Sequence, residues 1–230
     1  MMSKKTVMIT GANRGLGLGF AKHYLDKGWD VIATYRENAM GLTDIKNIKS
    51  FQMNVESEES INTTLDLISS KYNSIDLLIN NAGRYGTGQS SIHDPFNVED
   101  MVKTYRTNTM GPLLVTQAAL PLLEKGHDKK VIHISSKVGS IADNSGGGSY
   151  GYRASKTALN MINQNLSIEL KPKGILSVVM HPGWVQTDMG GPNALISIDE
   201  SISAMTQTID KFKLEHTGGF FERTGERIPF

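Results

Sequence analysis

Cysteine is absent from the 230 residues, which excludes disulfides, thiolate metal sites and a cysteine nucleophile together. Net charge is nearly absent as well. With 24 basic and 23 acidic side chains the chain carries +1, so no global field draws it to nucleic acid or to an anionic membrane. Long apolar runs are missing. The first, at residues 6–10, follows Lys4 and Lys5 and is too short for a signal-peptide core or a membrane span. Repeats, charge blocks and low-complexity tails are also lacking. These absences predict a soluble cytoplasmic protein without a nucleic-acid or membrane partner, and the length fits one domain.

What is present is an alternation of two periods. Short apolar runs at 5–10, 30–35, 49–55, 75–79, 130–135, 175–180 and 218–221 alternate with helical patterns that include 57–72, 98–124, 152–170 and 197–214. This predicts a parallel sheet covered on both faces. The expected fold is an α/β, Rossmann-like doubly wound sheet forming a single domain over residues 1–230, with ligands beyond the strand carboxyl ends.

The first run leads directly into Gly11, Gly15 and Gly17, and then into a helical pattern at Leu16, Phe20, Tyr24 and Leu25. Glycine allows positive φ and close approach of backbone to a pyrophosphate, which a helix N-terminus can hold. A glycine-rich turn without a ligand remains the alternative. At the end of the second run, an acid would accept from a ribose 2′-hydroxyl, but Thr34-Tyr35-Arg36 stands there. Together with Arg14 in the glycine loop, Arg36 suits a 2′-phosphate, so the dinucleotide expected is NADP(H).

Tyr152 and Lys156 stand four residues apart where a helical pattern begins, so one turn brings both to one face. A phenol titrates near pH ~10; beside a cation it can exchange a proton with a carbonyl or alcohol oxygen while a hydride moves at carbon. By itself Tyr-x-x-x-Lys also arises by chance on amphipathic helices. Asn80-Asn81-Ala82-Gly83 and Ser136 each follow a predicted strand, where turn chemistry explains them as readily as a ligand does. Gly111-Pro112 should bend or locally loosen the helical region at 98–124 and set Asn108 near an irregular point. Gly146 to Gly148 read as permissive backbone and His181 as a hydrogen-bonded structural residue.

Thr10-Gly11-x-x-x-Gly15-x-Gly17, Asn80-Asn81-Ala82-Gly83, Asn108, Ser136, Tyr152-x-x-Ser155-Lys156 and Pro182-Gly183 together resemble the short-chain dehydrogenase/reductase family from end to end. The runs around Tyr152 and His181 resemble its C-factor and sniffer-type carbonyl reductase branch. The resemblance implies that Tyr152 is the general acid/base, that Lys156 lowers its pKa and bonds the nicotinamide ribose, that Ser136 orients the carbonyl, and that Asn108 supports a water relay. It implies cofactor contacts at Gly11, Asn13, Arg14, Gly15, Leu16, Gly17, Arg36, Asn54, Val55, Asn81, Ala82, Gly83, Tyr152, Lys156, Pro182, Gly183, Val185 and Thr187. No residue is assigned to a metal.

Asn54 departs from the pattern, since the family often has an aspartate there to read the adenine; the amide oxygen can still accept from an adenine amino group. Substrate loops are expected at 139–149 and 183–195. The implied activity is an NADPH-dependent carbonyl reductase or alcohol dehydrogenase acting on a small carbonyl or alcohol, in a homodimer or homotetramer. A dinucleotide-binding signalling or regulatory protein of C-factor type is the rival reading.

Overall fold

Apolar runs with little alternation become strands buried on both faces. In the computed structural model, which describes residues 4–87 and 91–230, these are β1 (Thr6–Ile9), β2 (Asp30–Tyr35), β3 (Ile48–Gln52), β4 (Leu77–Asn80), β5 (Lys130–Ile134), β6 (Leu176–His181) and β7 (Phe220–Glu222). They form a seven-stranded sheet in the order β3-β2-β1-β4-β5-β6-β7, with the strand pairs parallel. The last strand begins later than the expected 218–221. Gly218 takes φ +80° and the Gly219 amide closes a turn on the His216 carbonyl at 3.0 Å.

Alternate residues of each strand feed opposite layers, as the two-residue strand period requires. Val7, Ile9, Ala33, Ile132, Val178 and Met180 pack with α1 (Gly15–Asp26) and α6 (Ile198–Lys211). On the other face Met8, Ile32, Leu78 and Val131 meet α2 (Glu58–Ser69) and α4 (Gly111–Leu123). Fully burying a side chain such as Phe20 or Ile61 contributes roughly 1.5–3 kcal/mol. Among the described residues, no helix is long and apolar enough to cross a membrane.

The helical region at 98–124 is loosened in the turn before its proline, as expected. Helix α3 (Val98–Tyr105) passes into a π-helical turn at Arg106–Met110, and α4 begins at Gly111. Pro112 follows that turn directly, and in a continuous helix its missing N–H and its ring disturb the turn before it, down to the carbonyl of Asn108. The irregularity therefore precedes the proline and is centred on Asn108, as π-turns at functional positions often are. Helix α5 (Tyr150–Leu170) starts two residues earlier than its expected start at 152, after Ser149 in the left-handed region at φ 44°.

Candidate active site

Parallel strands bring their carboxyl ends to one rim. Behind β1, Thr10 Oγ1 accepts from the amides of Asn81 and Ala82, both at 3.0 Å, while Asn81 Nδ2 donates to the carbonyls of Thr10 and Gly11 at 2.9 and 3.0 Å. The loop after β4 thus braces the glycine turn. A Cβ at Gly11, whose φ is +62°, would lie 3.0 Å from Ala82 Cα, and one at Gly17 would lie 2.2 Å from the Gly11 carbonyl oxygen. Both positions exclude a side chain.

Helix α1 then starts with no side-chain cap on its Arg14 N-cap and no acid in its first turn. Its first N–H groups lack intrahelical partners by geometry. A glycine cradle leading to such a terminus fits a pyrophosphate. Above it, the nearest neighbour of a Cβ built at Gly15 is the Thr187 methyl at 3.5 Å. Asn13 donates to the Asn38 carbonyl at 2.8 Å and Leu16 packs on the core, so these two shape the cradle.

The two guanidiniums expected at a 2′-phosphate do not converge. Arg14 Nη1 is paired with Asp188, across the cleft, and Arg36 Nε with its chain neighbour Glu37 at 2.9 Å. A charge placed beside a carboxylate takes the nearer partner. Asn54 Oδ1 accepts from the Glu56 amide at 3.1 Å, an Asx-turn, and Val55 beside it is buried.

At the end of β5, Ser136 lies beside the Tyr152 phenol and favours its ionised form. Burial outweighs it. The phenol is raised to about 12, with Tyr85 adding to the rise. The expectation that Lys156 lowers this phenol is therefore not met, because desolvation is the largest effect and the ammonium is directed elsewhere. Lys156 Nζ donates to the Ile134 carbonyl at 2.8 Å and sits 5.8 Å from the Tyr152 ring centroid. Its own pKa is lowered to about 8 by burial. Tyr152 and Lys156 share the expected helix face.

The side chain of Asn108 is committed: Oδ1 accepts from the Arg84 amide at 2.8 Å, and Nδ2 donates to the Arg84 carbonyl at 2.8 Å and to Ser155 Oγ at 3.0 Å. It fixes the loop behind Gly83 to α5.

Two groups went unseen in the sequence. The Tyr85 ring lies 4.8 Å from that of Tyr152 at 41°, and its hydroxyl is 2.5 Å from Ser149 Oγ. Its place two residues past Gly83, at a strand carboxyl end, was the available signal. Beneath α5 runs a polar row. His133 is fully buried, with Nδ1 3.2 Å from Asn80 Nδ2 and Nε2 3.4 Å from Ser177 Oγ, which donates to Asn163 Oδ1 at 2.8 Å. Nδ1 must accept from the amide, so Nε2 carries the proton. Burial, then the charge of Lys156, lowers this imidazole to about 3.

After β6 the chain turns back over the cleft. His181 departs from expectation: its buried Nδ1 has no partner among the described residues, and burial, with Lys137 and Arg223 nearby, lowers it to about 4. The Pro182 carbonyl accepts from Ser201 Oγ at 2.7 Å. Gly183 has φ +88° and its Cβ would lie 2.6 Å from Ile196 Cδ1. Val185, buried, bridges to Ile196. Thr187 closes a tight turn: its Oγ1 accepts from the Gly190 amide at 3.1 Å and its carbonyl from the Gly191 amide at 2.8 Å.

Comparison with known proteins places this geometry. The family profile described as short chain dehydrogenase matches residues 5–194. The C-signal of Myxococcus xanthus is 45% identical over 156 residues, spanning 68% of this chain and 93% of that protein. Among solved structures, the carbonyl reductase Sniffer of D. melanogaster superposes with a TM-score of 0.91 at 34% identity, covering 99% of this chain and 100% of that one. The NADPH-bound carbonyl reductase from chicken fatty liver gives 0.89 at 32% identity, covering 100% of both chains.

Proposed function

We propose, for a chain that belongs to the short-chain dehydrogenase family, an NADPH-dependent reduction of a small carbonyl compound, with oxidation of the alcohol as its reverse. The observation that carries this reading is the Tyr152 phenol with Ser136 beside it and Lys156 Nζ 5.8 Å from its ring centroid, at the strand ends that also hold the glycine cradle. Bound NADP(H) would supply or accept the hydride at its nicotinamide C4. Gly11, Gly15, Gly17 and the bare start of α1 hold the diphosphate. Asn81, Ala82 and Gly83 support that turn, and Thr187 stands over it.

Ser136 and Tyr152 direct two hydroxyl donors at the carbonyl oxygen. Tyr152 gives up its phenolic proton there, so one O–H bond breaks and another forms on the product alcohol. A phenol raised to about 12 keeps that proton at neutral pH, which suits reduction. Lys156, lowered to about 8 by burial, is still largely ammonium there and in this reading bonds the nicotinamide ribose beside the phenol. Oxidation needs the phenol as a base and should accelerate as pH rises, whereas reduction should hold level up to about pH 8 and then decline as the Lys156 cation is lost.

The choice of NADP(H) rests on Arg14 and Arg36, on the missing acid before Glu37, and on the likeness to a reductase solved with NADPH. The likeness to C-signal keeps a regulatory role in view, but a sensor has no need of a phenol and a serine placed to move a proton. Assembly through α3 and α5, whose Val102, Tyr105, Met161 and Ile168 are exposed, belongs to the same reading. The test is NADPH consumption against a panel of aldehydes, ketones and quinones, with NADH in parallel. Turnover of a carbonyl compound is expected; NADPH binding without turnover of any would favour the regulatory role.

A further inference from the structure

Arg14, in the glycine loop, reaches across the cleft to Asp188. The backbone of Asp188 is held in place. It follows Thr187, whose turn is closed by the Gly190 and Gly191 amides and whose methyl rests over Gly15. The carboxylate is therefore presented to the start of α1 by a constrained loop. Arg36 differs, because its partner Glu37 is the next residue of the same loop and travels with it.

We propose that Asp188 is a selectivity-determining residue for the dinucleotide: it competes with the ribose 2′-phosphate for the guanidinium of Arg14. This rests on the NADP(H) reading above. A guanidinium presents one fork of donors to paired oxygens, and Asp188 and the end of β2 lie on opposite walls of the cleft. Arg14 serves one or the other. Side chains of Arg14 and Asp188 are 64% and 77% exposed, and exposed pairs are weak. The competition is thus a bias, which lowers the preference for a 2′-phosphate without abolishing it. Salt should weaken it further.

The experiment is calorimetric titration with adenosine 2′,5′-bisphosphate and with AMP, which differ only in the 2′-phosphate and carry no nicotinamide end. Asp188→Asn and Asp188→Ser should bind the bisphosphate about two- to fivefold more tightly and AMP unchanged. In an Arg14→Ala background the same substitutions should do nothing, and the gain should shrink at high salt. Unchanged or weaker bisphosphate binding in both Asp188 variants overturns the proposal. So does an equal gain for AMP, which would make the loop a general lid. A parent protein that binds AMP as tightly as the bisphosphate instead refutes the NADP(H) reading, and the competition falls with it.

Discussion

Helices α1 and α6 pack together under one face of the sheet, yet they begin in opposite ways. At α6, Ser197 accepts from the Glu200 amide at 3.2 Å, Glu200 Oε2 accepts from the Ser197 amide at 2.8 Å, and Asp199 adds a second acid to the first turn. At α1 the N-cap is an arginine, no side chain caps it and no acid follows. Helices α2 and α3 resemble α6, capped by Ser57 and Asn97 with acids in the first turn. Helix α5 resembles α1, with neither cap nor acid. Caps and first-turn acids each stabilise a helix by about 1 kcal/mol or less. Helix α4 also has neither, but it continues out of the π-turn and has no free start; at α1 and α5, which border the cleft, they are forgone where an anion or a substrate must come close.

Replacing Tyr152 by phenylalanine should separate the two bare helices most sharply. Turnover should fall ~10²- to 10⁴-fold with NADPH affinity nearly unchanged, since general acid help is worth that much and binding is assigned to α1. A single-turnover assay with equilibrium binding reads both; a variant as fast as the parent would remove α5 from the chemistry. Tyr150→Phe, on a hydroxyl with no cation one turn later, should be far milder.

The second contrast lies underneath. Helix α1 rests on apolar Phe20, Ala21 and Tyr24 packed in the core, whereas α5 rests on the polar row of His133. That imidazole is about 3 when folded against an ordinary ~6.5 unfolded. Between those values the unfolded chain binds more protons, so stability is complete above about pH 6.5 and is lost as pH falls. By pH 4 the loss should be roughly 3 kcal/mol, and His181 adds to it in the same direction. Urea unfolding at pH 7 and pH 4 measures it. If His133→Asn leaves the acid slope intact, the buried row is not its source.

Giving α1 the start that α6 has tests the comparison directly. Arg14 already has extended N-cap backbone, φ −160° and ψ 174°, so Arg14→Asp should cap the helix and raise stability by about 1 kcal/mol. NADPH should then bind about tenfold or more weakly, through loss of a charge-assisted bond and an acid beside the diphosphate. Thermal melting with and without NADPH shows both; an undiminished NADPH shift would show that no phosphate uses this terminus. The smallest effect is the converse. Ser197→Ala should cost α6 about 1 kcal/mol and leave NADPH affinity alone, and any change in affinity would mean that the caps do not divide structural from functional helices.

Much of this was legible in the chain. The glycine loop, the Asn81 brace, the irregularity at Asn108 and the shared face of Tyr152 and Lys156 all follow from spacings of a few residues, which local backbone geometry converts directly into position. The π-turn shows the limit, since Gly111-Pro112 points to a loosened stretch around Asn108 but not to its form, a turn of π-helix over Arg106–Met110. Arg14 shows another. Its partner lies 174 residues away, on a loop whose path no local pattern describes.

By itself the sequence determined the order of strands and helices, the cradle at the end of β1 and the residues that share a face, because those depend on side-chain period and on glycine's freedom at particular turns. Only the tertiary structure decided which groups are buried together. Desolvation raises Tyr152, lowers Lys156 and keeps His133 neutral, and Tyr85 comes to lie on Tyr152 from a different strand end. Burial is a property of the packed layers, and a proton's free energy depends on what surrounds it in space rather than on what stands beside it in the chain.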